Sequence, residues 1–343
     1  MRRGDWRRQT LPAHDGGGWA VWLRGRRTAC SNATDAVTRI GSWLPGNPVL
    51  VAAPTMTHFV PPVAIDTFRQ RFRDDVVRYW RLLTIAALLA AIAFLAARAL
   101  AISLSLLLLA CVFALECLQF SRSRDAVLER ALFFYWLRTS LRGSHALVLW
   151  ATVSGFAGCL QLAALAWLGS LEAVFDAYGL MYPAARAGEW WRLLTGPFVH
   201  YNVLHFTTNA ALLVLGGWIA SALRPLATGI AFAAGCVLSA WCQMTLGGQV
   251  FDNFGGMSGG VFAVFALLVV SGFLDRGSLP AGLAVYLGGL LLFSGVTAEL
   301  LSESTATVAH LTGAATGAVV AVISHRAQSR GPRSRAFRAG ARS

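Results

Sequence analysis

A serine set between two pairs of glycines, three histidines and an asparagine are the residues of this chain whose types and spacing could do chemistry. Ser258 sits in G-G-M-S-G-G, at the head of the apolar run 254–273. Each glycine lowers helix propensity by roughly 1 kcal/mol, so four at one end of a helix call for a use. Their use is close approach of another backbone to Ser258. A serine near a helix N-terminus has free N–H groups and the positive end of the helix dipole beside it. That environment suits a hydroxyl that becomes a nucleophile next to a carbonyl that becomes an oxyanion. The stretch also reads as a glycine-rich helix start with an incidental serine, so Ser258 alone decides nothing.

The other candidates are the H-x-x-x-x-H-x-x-x-N of His200, His205 and Asn209, and the A-H-L-T-G-A-A-T-G of Ala309, His310, Gly313 and Gly317. His205 and Asn209 are four apart and share one helix face. Ala309, Gly313 and Gly317 form a small-residue stripe that admits a neighbouring helix backbone. Each has a bland explanation: a buried histidine that satisfies a carbonyl, an asparagine that joins two helices, a stripe that packs. Inside a membrane, however, unpaired imidazole and amide groups are costly and mark function by default.

The elements that must position these residues follow from composition. The 343 residues are 56% hydrophobic with a mean hydropathy of +0.57, which places the chain among polytopic membrane proteins. The formal charge is +13, carried by arginine without a single lysine. Arginine collects in the N-terminal region, in short loops and at the tail, and we read it as membrane orientation, with no nucleic-acid partner. Cys30, Cys111, Cys117, Cys159, Cys236 and Cys242 show no C-x-x-C spacing, so neither a disulfide framework, a metal site nor a cofactor is expected.

Six spans of bilayer length are expected at 146–169, 203–222, 226–246, 256–273, 279–297 and 306–324. Arg224 and Arg276 lie in the second and fourth connections and six arginines follow the last span. Asp252, Glu299 and Glu303 lie in the third and fifth, which carry no arginine. The odd connections therefore face outside. The second, fourth and sixth spans then run from outside to inside, and each carries its candidates within about two turns of its first residue. Ser258, His310, His205 and Asn209 fall in one outer layer, a coincidence that favours a joint catalytic role.

Ahead of this core, residues 1–78 are polar, with Pro45, Pro48, Pro54, Pro61 and Pro62, and are expected to be disordered, with Met56 as an alternative start. The run 82–120, broken by Arg98, exceeds one bilayer crossing and is expected to fold as a hydrophobic hairpin, with a re-entrant or interfacial arrangement as the alternative. Residues 121–145 read as a basic interfacial helix carrying Phe133, Phe134, Tyr135 and Trp136. The domains are thus 1–78, 79–145 (hairpin and interfacial segment), 146–324 (six-span core) and 325–343 (basic cytoplasmic tail).

The residue types give a mechanism in outline. Ser258 is the nucleophile and His310 the base and then the acid, a dyad, because no Asp or Glu is placed at that depth to orient His310. His205, Asn209 and the Ser258 N–H supply an oxyanion hole, and His200 at the mouth helps to hold water.

With E-W-W-R at 189–192, these motifs make residues 189–323 resemble the rhomboid intramembrane serine proteases. The resemblance implies an all-α polytopic membrane protein, a six-helix rhomboid-like bundle here preceded by an N-terminal extension with an extra hydrophobic hairpin. It implies Ser258 and His310 as the dyad, His205 and Asn209 as oxyanion residues, and Trp191 and Arg192 as structural residues of an outer loop embedded in the membrane. Gly256, Gly259 and Gly313 belong to its motifs, and Phe262 stands where the family often has a tyrosine stacked on the catalytic histidine. It further implies membrane-protein substrates cleaved in or beside a transmembrane segment, in a bacterial inner membrane with the site towards the outer face. E-W-W-R-L-L-T-G followed by F-V-H also resembles the rhombosortases, which trim C-terminal sorting tails. Two other classes compete: a catalytically dead rhomboid-like protein that binds membrane clients, which would be free to lose Ser258 and His310, and a transporter, which would place paired polar groups near the midplane. The sequence carries no signal for oligomeric state.

Overall fold

A computed structural model of the chain describes residues 5–247, 252–301 and 306–330. It divides into two compact units, Met1–Ser140 with Gly277–Phe293, and Leu141–Arg276 with Ser294–Ser343.

The first unit corrects the expectation of disorder before residue 79. It holds a three-stranded antiparallel sheet of β1 (Trp19–Leu23), β2 (Arg26–Cys30) and β3 (Val49–Ala52) in the order β2-β1-β3, with Ala20 facing Ala29 on one side and Ala52 on the other. Helix α1 (Ala33–Ile40) follows β2, and the Asn32 side chain caps it by accepting from the Asp35 N–H at 2.9 Å. Val21, Val37, Ile40, Trp43 and Val51 form its core with Phe68, Phe72 and Val76 from the start of α2 (Asp66–Ala96). Apolar burial of this extent accounts for order in so polar a stretch. Farther along, α2 changes character and exposes Leu82, Ile85, Leu89, Ile92 and Leu95, a surface suited to lipid.

The chain turns at Arg98, whose φ is 60°, into α3 (Leu100–Arg122), which runs back along α2; the Ser103 hydroxyl donates to the Ala91 carbonyl at 2.8 Å. This is the hydrophobic hairpin of the fold. Helix α4 (Arg124–Thr139) begins at a Ser123 cap. Its Phe133 and Trp136 face inward, with Trp6 edge-on to Phe133 at 5.7 Å, where an interfacial helix would turn them to lipid headgroups. Arg130 of α4 pairs with Glu116 of α3 through two contacts of 3.2 and 3.0 Å, both side chains being buried.

The second unit is helical apart from two short strands. Helix α5 (Leu141–Leu168) leads to α6 (Leu171–Tyr178), β4 (Leu180–Met181), α7 (Tyr182–Arg186) and α8 (Arg192–Thr195). Then come α9 (Val203–Leu223), α10 (Pro225–Leu246), β5 (Asn253–Phe254), α11 (Ser258–Leu274), α12 (Leu283–Leu301, in this unit from residue 294) and α13 (Thr307–Arg330). Five of the six expected spans are long apolar helices, and with α2 and α3 they make seven among the described residues that are long and apolar enough to cross a membrane. The remaining one, the fourth, is α11, which has 17 residues, all of those from Ser258 to Leu268 buried. A helix surrounded by protein has no need to match the bilayer. The fifth begins at residue 283, four later than expected, because Pro280 and Gly282 (φ 74°) occupy the turn before it. The expected outer connections overlap 248–251 and 302–305, and the tail runs past 330, all outside the described residues; up to 330 the tail continues α13.

At the end of α11 opposite Ser258, the buried Asp275 carboxylate accepts from the guanidinium of Arg224, between α9 and α10, and lies 2.9 Å from Nδ1 of His325 on α13. The chain is an integral, multi-pass, all-α membrane protein with one small sheet near its N-terminus.

Candidate active site

Ser258 is the first residue of α11 and His310 the fourth of α13. Nε2 of His310 lies 3.0 Å from Oγ of Ser258, within the reach of proton transfer. Phe262, one turn along α11, lies flat on the imidazole with ring centres 4.3 Å apart and planes 5° apart. Hydroxyl, imidazole and stacked ring therefore come from two helices in contact.

That contact requires glycine. A Cβ on Gly313 would run into the carbonyl of Gly259, and one on Gly317 into the carbonyl of Ala263. On its other side α11 meets α10 as closely: a Cβ on Gly259 would strike the Ser239 side chain, and one on Gly260 would meet Cys236 and Phe232. Helix α10 also grips the start of α13. The Ser239 hydroxyl donates to the Ala309 carbonyl at 2.8 Å, and Oε1 of Gln243 accepts from the Ala309 N–H at 3.0 Å. Both side chains are buried, and they hold the residue beside His310 by both of its backbone groups. The sequence reading missed this pair. The signal was there, since Gly235, Ser239 and Gln243 recur every four residues along one face of a hydrophobic helix.

His205 and Asn209 come from α9, whose N-cap Asn202 accepts from the His205 N–H at 2.8 Å. They approach the loop before Ser258 at Gly256. Its φ of 107° favours glycine, and the place of a side chain is taken by the His205 ring, with Nδ2 of Asn209 3.6 Å from that point. Nδ2 of Asn209 is buried and donates to no group among the described residues, although most buried donors are satisfied. The loop itself is stitched down. Leu180 and Met181 of β4 pair with Phe254 and Asn253 of β5, and the Tyr201 hydroxyl donates to Oδ1 of Asn253 at 2.8 Å.

His200 supports this arrangement from outside the helix. Its ring is buried 5.1 Å from that of His205, and its backbone N–H and carbonyl bond the Gln161 side chain of α5 at 3.0 and 2.7 Å. Sequence reasoning passed over Gln161 as well. Burial, with the neighbouring His205 adding to it, pushes His200 down to about 4, so the folded protein keeps this ring neutral. A base with a depressed folded pKa gives stability that is present above its unfolded value and lost as pH falls through the folded one. Melting temperature should therefore decline as the pH drops from about 6.5 towards 4. The decline should flatten in His200→Gln, and an equally steep profile in that variant would remove His200 as its source. Among the described residues no group of three His, Cys, Asp or Glu side chains could hold a metal ion.

Residues 187–327 match the family model described as Rhomboid domain. This stretch of the chain is similar to the Rhomboid domain. The chain is similar to the "Rhomboid protease GlpG" of Yersinia pestis (strain Pestoides F), 29% identical over 174 residues that make up 50% of this chain and 61% of that relative. The protein of the same name from Serratia proteamaculans (strain 568) is 31% identical over 150 residues, 42% of this chain and 52% of the relative. The chain thus spans about three-fifths or less of these relatives. Every sequence-derived candidate, from Trp191 to Gly313, lies inside the matched residues; α5 and its Gln161 precede them. At the start of the matched residues the buried Arg192 ties together the segment between α6 and α9. It donates to the carbonyls of Gly179 and Asp176, both at 2.8 Å, and to the Glu189 carboxylate at 2.7 Å. Its guanidinium lies over the half-exposed Trp191 ring at 4.7 Å.

Proposed function

We propose that this protein is an intramembrane serine endopeptidase that cleaves transmembrane or juxtamembrane segments of other membrane proteins with a Ser258–His310 dyad. The observation that carries this reading is the 3.0 Å contact between Nε2 of His310 and Oγ of Ser258, under the stacked Phe262 ring. His310 takes the proton from Oγ as Oγ attacks the scissile carbonyl, then delivers it to the amine that leaves. Water next attacks the acyl-serine by the same route in reverse. Negative charge on the carbonyl oxygen builds beside the first free N–H groups of α11. The unsatisfied Nδ2 of Asn209 and the ring of His205, both at Gly256, are the side-chain donors for it. An unpartnered buried amide is what a donor reserved for the transition state looks like before substrate arrives.

The arginine distribution orients the protein with this site towards the outer face of a bacterial inner membrane. Substrate segments that unwind readily suit such a site, because a helix must open before its carbonyls can be attacked. The test uses purified protein in detergent or proteoliposomes. A fluorophosphonate should label Ser258, and mass spectrometry of a single-span reporter should show one cut within or beside its apolar segment. Label on another residue, or an uncut reporter with a folded enzyme, would falsify the assignment.

A further inference from the structure

His310 has no carboxylate on its own helix, but α12 brings one to the same face. Oε2 of Glu299, in the last turn of α12, accepts from the hydroxyl of Thr307 on α13. Thr307 and His310 are three apart and so lie on one side of α13. A second contact fixes the orientation of α12 independently. Gly295, one turn before Glu299, lies against the ring of Phe262, to which a Cβ on that glycine would come within 3.3 Å. Phe262 is the ring that lies on His310. The face of α12 that carries residues 295 and 299 therefore looks at Phe262 and Thr307, the latter one turn before His310.

The groups around His310 can be named helix by helix. Helix α11 presents Ser258, and α10 presents the neutral Ser239 and Gln243 through Ala309. Helix α9 brings the His205 ring to Gly256, two residues before Ser258, and α12 brings the Glu299 carboxyl group to Thr307. An imidazole that accepts a proton in the transition state becomes a cation, and a nearby carboxylate stabilises the cation more than the neutral ring.

We propose that Glu299 is a positioning residue for His310, holding Thr307 and the start of α13 by its hydrogen bond and stabilising, by its charge, the imidazolium formed when Ser258 gives up its proton. The inference rests on the dyad reading above. It replaces a two-residue device with a pair assisted by an acid from a third helix. Glu299 is exposed, so its action is screened by salt and modest in size.

Three variants separate charge from stitching. Glu299→Gln keeps an acceptor for Thr307 and removes the charge, Thr307→Val removes the hydrogen bond and keeps the charge, and Glu299→Asp keeps the charge on a shorter arm. Each is measured for kcat and KM on a single-span substrate, for the rate of fluorophosphonate labelling at Ser258, and for melting. Glu299→Gln should lose about 10-fold in kcat and in labelling rate, with KM and melting unchanged. Glu299→Asp should recover most of that loss, and raising the salt should shrink the difference between Glu299→Gln and the unsubstituted protein. Wild-type kcat in Glu299→Gln overturns the proposal. So does a pattern in which Thr307→Val loses activity and melting together while Glu299→Gln loses neither, because that is a stitch between helices. Undiminished turnover in Ser258→Ala would bring down the protease reading itself; an inert Glu299→Gln in an enzyme that needs Ser258 brings down this inference alone.

Discussion

Alanine at Ser258, alanine at His310 and alanine at both positions should reduce turnover of a single-span substrate to the same residual level, roughly 10³-fold or more below the unsubstituted protein. The equality follows from the 3.0 Å contact between the two side chains. A serine without its base is a weak nucleophile, and a base without its serine has no proton to take, so the second substitution finds nothing left to remove. Melting should scarcely move in Ser258→Ala, since the hydroxyl is small and the surrounding helices are held by backbone contacts. The measurement is kcat for the three variants and a melting curve for each in one detergent. A double variant far worse than either single one would show two groups acting separately, and full activity in Ser258→Ala would end the assignment.

The largest effects on stability should come from residues with no side chain. Gly313→Ala and Gly317→Ala each place a methyl group where a backbone carbonyl of α11 already is, Gly259 in one case and Ala263 in the other. Buried helix backbone cannot swing aside as a side chain can, so the helices must separate. Overpacking of this kind costs on the order of 2–3 kcal/mol. Gly229→Ala in α10 is the control, because a Cβ there meets nothing within 4 Å. By helix propensity alone it should be neutral or stabilising by up to about 1 kcal/mol. Gly313→Ala should also lose turnover beyond its loss of stability, because Gly313 is one turn from His310 and parting α13 from α11 lengthens the proton path. Equal melting temperatures for Gly313→Ala and Gly229→Ala would contradict the close-packed picture.

The site was legible because its residues break local rules. Four glycines at a helix start, and histidine and asparagine in membrane spans, stand out against an apolar background. Spans are legible through length, so their middles were read correctly while ends moved by up to six residues. Helix α5 starts five earlier, α13 ends six later, and α12 starts four later, where Pro280 and Gly282 continue an apolar run without continuing a helix. The residues that hold the site were harder to see. Ser239 and Gln243 break no rule, since serine and glutamine in a membrane helix can bond many partners, and only the structure shows that both bond Ala309. The N-terminal sheet was missed for another reason. Its strands have four or five residues, and the β1–β2 turn is Arg24-Gly25, with φ of 49° and 79°, where asparagine or aspartate would have signalled the first left-handed position.

Arg224 has two roles separated in time. The rule that orients membrane proteins counts it as a free positive charge, and when the chain is being inserted it is one, because Asp275 is still 51 residues away in the sequence. In the folded protein the charge is no longer free: Arg224 and His325 enclose the Asp275 carboxylate at the end of α11 away from Ser258. Insertion therefore reads the arginine and not its partner, since acidic residues contribute little to orientation. An error at Asp275 should pass the insertion machinery unnoticed and surface later, in a correctly oriented protein whose helices α11 and α13 lack their far anchor. Such a protein is a client for membrane quality control and not for the translocon.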